Sequence, residues 1–298
     1  MRIVTLVLAA GAGRRLASVT GGVPKQFWRG SAALSLLDET IDRFAPVAPP
    51  ADTVVVVDAG HRPHLATGGM TRAVGRVVLQ PADRGTAAGV LLGLGAVADL
   101  DEQAMVAITP ADHGVADRAA FTQTVAEAVR HAHRARRIVL VGATATGPSQ
   151  DYGWILPGEG RADGFRSVAG FVEKPPADLA ERLLAAGAVW NTMVVVGPIA
   201  ALMDLAREHV PDVSRLFDAA RARPARERSA FLESSYPSVP VRDFSRDMLT
   251  PGRGLDVCML PPSAGWTDLG TPARLFAWLE RTAVPAAPAA AAAATAAA

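Results

Sequence analysis

Ile3-Val-Thr-Leu-Val-Leu-Ala-Ala-Gly-Ala-Gly-Arg-Arg-Leu16 is the stretch that decides the fold. An apolar run of strand length enters a glycine-rich turn, and two arginines follow. Glycines after a strand let backbone N–H groups approach phosphate oxygens, and a following helix terminus adds positive potential. A short signal peptide with Ala9-Ala10 at its cleavage region is the competing reading. The apolar run is at the short limit for that and leads directly into the glycines, so strand and loop are favoured. A dinucleotide fingerprint would need a third glycine where Leu16 stands, and no G-x-x-x-x-G-K-[ST] string occurs. Asp58, which follows the second strand, lies too far from the loop to be the acidic partner of such a fingerprint.

Outward from this stretch the chain alternates strand and helix. The apolar pattern predicts strands at Ile3–Leu8, Thr53–Val57, Arg76–Leu79, Met105–Ile108 and Arg137–Gly142. It predicts helices at Leu34–Phe44, Thr86–Leu100 and Arg118–Arg134. Short all-apolar strands separated by helices imply an α/β class, with a parallel sheet covered on both faces. After Gly147 the pattern changes. Strands are expected at Tyr152–Leu156, Phe165–Val172, Met193–Val196 and Leu255–Leu260, with helices at Asp178–Ala186, Ile199–Arg207 and Pro272–Arg281. Arg215–Glu233 reads as helical, broken or kinked at Pro224. The expected organisation is one unit over 1–281, with a first part near 1–147 and a second near 148–281. An Ala/Pro tail over 282–298, with no apolar face to dock, reads as disordered.

Composition excludes several classes. The 298 residues are 50% hydrophobic and carry a formal net charge of +1, which argues against wholesale disorder and against a bulk field for nucleic acid or an anionic membrane. One cysteine, Cys258, forbids an intramolecular disulfide or a multi-cysteine zinc site. No apolar run approaches the ~20 residues of a membrane span, and no targeting signal is apparent, so the cytoplasm is the expected location. The 30 basic residues include two lysines, Lys25 and Lys174, and there is one asparagine, Asn191. A chain that uses Arg nearly everywhere marks its lysines as positions where a compact ammonium is wanted rather than a planar fork.

Four groups of residues could carry chemistry. The glycine loop is the first. Pro24-Lys25-Gln26-Phe27 is the second; with Arg15 it places cations near the end of the first strand, which suits a triphosphate. Thr109-Pro-Ala-Asp-His113 follows the Met105–Ile108 strand, whose carboxyl end faces the ligand crevice in open α/β sheets. Asp112 there is placed to bind Mg²⁺ carried by phosphates, or merely to cap a turn. His113 orients the loop, while His131 and His133, in an arginine-rich helix end, are expected to be solvated. The fourth group comprises Gln80-Pro-Ala-Asp-Arg-Gly-Thr-Ala87, Tyr152-Gly153, Glu173-Lys174-Pro175, Trp190-Asn191-Thr192 and Gly265-Trp-Thr-Asp-Leu-Gly270. Glu173 and Asn191 can bind sugar hydroxyls, Lys174 a phosphate, and Asp268 a metal. Spacing alone does not bring Asp112 and Asp268 together.

In this order the motifs resemble the sugar-phosphate nucleotidyltransferases, and look most like the mannose-1-phosphate guanylyltransferases. Ser35-Leu36-Leu37 with Thr40 and Arg43 adds to the likeness, which runs from Ile3 to about Leu279. The resemblance implies a Rossmann-like, mixed and mainly parallel sheet with helices on both faces (the nucleotide-diphospho-sugar transferase fold) and a small sugar-binding β subregion. It implies that GTP and mannose 1-phosphate give GDP-mannose and pyrophosphate with Mg²⁺ as cofactor. Catalytic roles fall to Arg15, Lys25 and Asp112. Leu8, Ala9, Ala10, Gly11, Gly13, Gln80, Arg84, Gly85 and Thr86 would hold the nucleotide. Gly153, Glu173, Lys174 and Asn191 would hold the sugar phosphate, and Asp112 and Asp268 the metal.

There are departures from the family pattern. Ala10-Gly11 replaces two glycines, Ala17-Ser-Val-Thr-Gly-Gly-Val23 replaces W-P-L-S-R, Gly85 replaces an asparagine and Ala111 a serine. They lie near the nucleotide and bear on the base more than on the reaction. The alternatives are a same-fold enzyme for another base or sugar (a heptose or glucose) and a non-catalytic nucleotide-sugar-binding regulator. A homodimer is left open.

Overall fold

The computed structural model describes residues 1–30, 32–250 and 252–282; the expected 282–298 tail lies outside them except for Thr282. In chain order the elements are β1 (Ile3–Ala9), α1 (Ala17–Thr20), α2 (Leu36–Phe44), β2 (Thr53–Asp58), α3 (Arg62–Ala66), β3 (Arg76–Gln80), α4 (Gly85–Leu100), β4 (Met105–Pro110), α5 (Arg118–Ala135) and β5 (Val139–Ala143). They continue with β6 (Gly153–Gly160), β7 (Arg166–Glu173), α6 (Ala177–Ala185), β8 (Val189–Pro198), α7 (Ile199–His209), α8 (Pro211–Arg221), α9 (Ala225–Ser235), β9 (Asp256–Met259) and α10 (Pro272–Thr282).

One nine-stranded sheet runs through the molecule in the order β3-β2-β1-β4-β8-β5-β9-β7-β6. The first four strands are parallel. β8 enters antiparallel between β4 and β5, and β9 lies parallel to β5. The β6–β7 hairpin closes the far edge, and β6 also pairs with β8. Both halves of the chain therefore share one sheet. Alternation along β1 shows why it sits at the centre: Val4 and Leu6 pack with α4, and Val7 and Ala9 pack with α2 on the opposite face. A further cluster joins Phe121 and Val125 of α5 to Val141 and Val196. Register places Leu8 beside Pro110. The glycine loop and the Asp112 loop thus leave the sheet side by side, at the carboxyl ends of adjacent parallel strands.

The mixed, helix-covered sheet agrees with the expectation, as does the break at Pro224, which caps α9. The single turns α1 and α3 have no counterpart in the apolar pattern, nor does the π-helical turn Phe244–Leu249. β8 is longer than expected because it finds partners in β4, β5 and β6, which no local periodicity announces. His131 is a correction: its ring is buried, not solvated. It stacks on Phe165 at 3.9 Å and bridges Asp163 Oδ2 (2.6 Å) and Asp256 Oδ2 (2.8 Å). Asp256 begins β9 and is fully buried, so its carboxylate needs donors. Arg137 Nε (3.0 Å) and Arg161 Nη2 (2.6 Å) supply the rest.

Removing one member of a buried ionic set leaves the others uncompensated and costs ~3–5 kcal/mol. Asp256→Ala is expected to lower unfolding stability by about 3 kcal/mol in urea titration. A loss below about 0.5 kcal/mol, the usual range of a surface substitution, would show that the set contributes nothing.

Candidate active site

Lys25 sits in a short 3-10 turn after Pro24, with its side chain only 9% exposed. Its ammonium touches Asp112 Oδ2 at 3.0 Å and donates to the backbone carbonyls of Asp268 (2.8 Å) and Leu269 (3.2 Å). Three donors meet three acceptors. The Asp112 and Asp268 loops are also tied by a two-bond bridge, Gly114 N–H to Thr267 O (2.8 Å) and Thr267 N–H to Gly114 O (3.0 Å). The two carboxylates that sequence spacing could not connect thus belong to neighbouring loops on one ammonium. Arg43, buried on α2, donates from Nη2 to His113 O (2.9 Å) and braces the Asp112 loop from below. Burial, and then the nearby Arg118 charge, lower its guanidinium to about 10. Trp266 Nε1–H donates to His113 Nδ1 (3.1 Å), which fixes the imidazole as an acceptor there.

Asp268 Oδ1 receives Tyr152 OH (3.2 Å) and Gly270 N–H (3.1 Å) and contacts Arg274 Nε (3.0 Å) from α10. Burial, and then the Asp268 charge, raise the Tyr152 phenol well above its usual range and keep it a donor. Asp112 Oδ1 and Asp268 Oδ2 accept no hydrogen bond among the described residues. No group of three or more His, Cys, Asp or Glu among these residues could hold a metal ion. Two carboxylates with a free oxygen each are nevertheless what magnesium uses when phosphates and water supply its other ligands. The donor set fits a substrate-borne Mg²⁺ rather than a resident ion.

Beside this pair of loops lies a cleft of about 290 Å³. Leu8, Ala9, Ala10, Gly11, Gln80, Gly85, Thr86 and Asp112 line it, all singled out from sequence. Gln26, Asp83, Gly89 and Met193 join them. Gln26 Nε2 donates to Ala9 O (2.7 Å) and Gly11 O (2.9 Å), pinning the loop. The amides of Gly11, Ala12 and Gly13 donate to no acceptor among the described residues, so this turn keeps its anion-binding capacity. Arg15, in the first turn after the loop, is exposed and makes no ion pair among these residues. Gly13 does not line the cleft; it backs onto Lys25, where a Cβ would lie 2.9 Å from the Lys25 backbone nitrogen. Arg84 lies outside the lining too, its Nε buried without a partner among the described residues. The Thr86 hydroxyl donates to Asp243 Oδ2 (3.1 Å) and accepts from Phe244 N–H (2.8 Å), so it is spent within the fold. Gly85 explains one departure from the family pattern. At φ +78° it sits where a Cβ would lie 2.2 Å from Arg242 O, leaving no room for asparagine.

The residues expected to read the sugar gather where β6, β7 and β8 meet. Gly153 pairs with Glu173 across β6 and β7, and a Cβ on Gly153 would lie 2.5 Å from Glu173 Oε2 and 3.3 Å from Asn191 Cβ. Burial raises the Glu173 carboxyl above its usual range, against the opposing pull of Lys174 at 3.1 Å. Lys174 is half exposed. Asn191 Oδ1 accepts from Met193 N–H (3.1 Å), which leaves its amide donors for a ligand. Tyr152 packs against Trp190 (4.5 Å) and Trp266 (5.7 Å), so an aromatic wall joins this side to the Asp268 loop. Gln26 was legible within its motif. Arg274 had no signal, because only the docking of α10 brings it to Asp268.

The nucleotidyl transferase family model matches residues 4–283, and the chain belongs to that family. A mannose-1-phosphate guanylyltransferase of Salmonella montevideo is 28% identical over 90% of this chain and 58% of its own length. A xanthan biosynthesis protein of Xanthomonas campestris pv. campestris shows the same identity and the same shares. The chain therefore spans little more than half the length of these relatives. A crystal structure described as mannose-1-phosphate geranyltransferase, from Thermus thermophilus, superposes with a TM-score of 0.79 at 28% identity, covering 91% of this chain and 77% of that one.

His113 yields a pH prediction. Desolvation lowers its imidazole to about 4, despite the opposing Asp112 charge. The unfolded chain binds that proton near 6.5, so the contribution is intact above about 6.5 and stability falls as pH drops from there toward 4. His113→Gln is expected to show a shallower fall in urea midpoint over that window than the parent chain. Equal slopes would refute a neutral ring.

Proposed function

We propose that the chain is a sugar-1-phosphate nucleotidyltransferase that joins GTP to mannose 1-phosphate. The observation that carries the reading is the Lys25 ammonium, held between the Asp112 and Asp268 loops beside a glycine turn with unused amides. The names of the relatives described above support GTP and mannose 1-phosphate.

The reaction is an in-line displacement. A phosphate oxygen of the sugar 1-phosphate attacks the α-phosphorus, and the bond to the β-phosphate oxygen breaks to release pyrophosphate. No protein nucleophile is required, so the chain contributes positioning and charge. The glycine-loop amides and Arg15 hold the triphosphate. A phosphate oxygen can replace Asp112 Oδ2 on the Lys25 ammonium without leaving a buried donor unpaired. Lys25 then neutralises the leaving pyrophosphate, and Asp112, once displaced, and Asp268 are the residues that would hold Mg²⁺. Bound Mg²⁺ would supply Lewis-acid charge at the reacting phosphates. Lys174 grips the sugar phosphate, while Glu173, Asn191 and the Gly153 backbone read the sugar hydroxyls.

Pyrophosphate release with a panel of nucleoside triphosphates and sugar 1-phosphates, with and without Mg²⁺, tests this. GTP with mannose 1-phosphate is expected to give the highest kcat/KM, and no signal from that pair overturns the reading. Lys25→Ala is expected to lower kcat about 10²–10³-fold, the usual cost of one charged clamp. Lys174→Arg is expected to raise the KM for sugar phosphate several-fold with a smaller effect on kcat. An unchanged KM would remove Lys174 from the sugar site.

A further inference from the structure

Three loops meet on one helix, and we propose that Arg274 of α10 is a positioning residue: it fixes the Asp268 carboxylate by one oxygen and so presents the other to a phosphate-borne divalent ion. This rests on the nucleotidyltransferase reading above, which gives Asp268 to the ion, and adds the residue that orients it.

Packing fixes where α10 sits. Leu275 and Trp278 are its buried residues. Leu275 clusters with Leu16, Leu36 and Leu269, so the helix is seated against both the turn after the glycine loop and the Asp268 loop. Trp278 lies on Gly114, where a Cβ would fall 2.8 Å from the indole and 3.0 Å from Thr267 Cγ2. The helix thus covers the Gly114–Thr267 bridge that joins the Asp112 and Asp268 loops. Thr271 Oγ1 accepts from Arg274 N–H at 3.3 Å, which starts the helix directly after the Asp268 loop. Arg274 leaves the backbone from this anchored first turn.

Its guanidinium joins two carboxylates. Nη2 donates to Asp151 Oδ2 (3.0 Å), and Nε lies 3.0 Å from Asp268 Oδ1. The Nε–H is not aligned on that oxygen, so the second contact acts through charge. The side chains of the pair are 22% and 16% exposed, well short of a mobile surface pair. The same guanidinium sits over the Tyr152 ring at 5.0 Å, and the Tyr152 hydroxyl donates to the same Oδ1 (3.2 Å). With Gly270 N–H (3.1 Å), three groups gather on Oδ1 and none on Oδ2 among the described residues. The Cβ–Cγ torsion of an aspartate is otherwise broad. Loading one oxygen in this way gives the other a set direction, as outer partners do for metal-binding carboxylates. Gly270 keeps Oδ2 open, because a Cβ at 270 would lie 2.5 Å from it. Asp151 stands just before Tyr152 and Gly153, so Arg274 also ties the Asp268 loop to the start of β6.

The probe is Mn²⁺. Binding of GTP is measured by calorimetry without sugar phosphate, once with saturating Mn²⁺ and once in EDTA, and the ratio of the two affinities reads the ion's contact with the protein. Arg274→Ala is expected to lower that ratio about 10-fold, the low end of what losing an outer partner of a metal ligand costs. GTP affinity in EDTA is expected to stay unchanged. Arg274→Lys keeps the charge and is expected to recover part of the ratio. Gly270→Ala leaves Arg274 in place but fills the space beside Oδ2, and is expected to lower the ratio as well. A parent ratio near one overturns the proposal. So does a ratio unchanged or raised in Arg274→Ala, since a guanidinium that competes with the ion would strengthen binding on removal. An equal loss of GTP affinity in EDTA, or Arg274→Lys no better than Arg274→Ala, also overturns it. Ratios that fall as expected, without pyrophosphate release from any pair of triphosphate and sugar 1-phosphate, uphold Arg274 and overturn the nucleotidyltransferase reading. Pyrophosphate release with a ratio indifferent to Arg274 does the reverse.

Discussion

The site depends on one buried ammonium. Lys25 is anchored near the start of the chain, and two of its three acceptors are carbonyls 243 and 244 residues away. An ammonium directs three short bonds into a narrow space. A guanidinium is planar and broad and would have to separate the Asp112 and Asp268 loops to enter. That constraint gives the composition its meaning: in a chain that otherwise uses arginine, this position takes lysine. It also sets the chemistry, because every acceptor on Lys25 is supplied by the protein. An anion can enter only by exchange, and Asp112, the one charged and partly exposed acceptor, is the partner that can leave.

Backbone strain collects around the same place. Of the four described non-glycine residues with positive φ, Arg136 merely closes α5. The other three are Lys174, Met193 and Leu269. Lys174 follows Glu173 on the sugar side, Met193 lines the cleft, and Leu269 gives its carbonyl to Lys25. Such conformations cost of order 1–3 kcal/mol each and persist where surrounding contacts over-determine them. Here the contacts are visible. Met193 N–H is held by Asn191 Oδ1, Lys174 N–H donates to Tyr152 O, and Leu269 is fully buried in the cluster that includes Leu16 and Trp278.

What the sequence disclosed follows from how local each cause is. The parallel core was legible because β1, β2 and β4 are apolar throughout and are separated by periodic helices. The cleft was largely legible, since strand-end loops carry its lining and the motifs lie within single loops. His131 reads as solvated because its surroundings in sequence are arginines, whereas its partner Asp256 comes from a strand formed 125 residues later. Thr86 and Arg84 could not be sorted from their neighbours by motif alone. Their fates are set by the segment after Arg242, which docks on the Gly85 turn and takes the Thr86 hydroxyl.

β8 ties these parts together. A purely parallel sheet would end the first half at β4 and leave the second half as a separate layer. An antiparallel strand between β4 and β5 instead extends the sheet across the boundary, with backbone pairing on both sides. That strand carries Asn191 toward Gly153 and Glu173, and Met193 into the cleft, two residues apart. The spacing between Asn191 and Met193 is therefore set by one strand of the sheet. The in-line displacement proposed above requires its two phosphates in fixed register, and a shared strand would supply that register. The Gln80–Gly85 turn and the β6–β7 hairpin sit on opposite sides of β8, so either can change while the spacing that β8 sets is preserved.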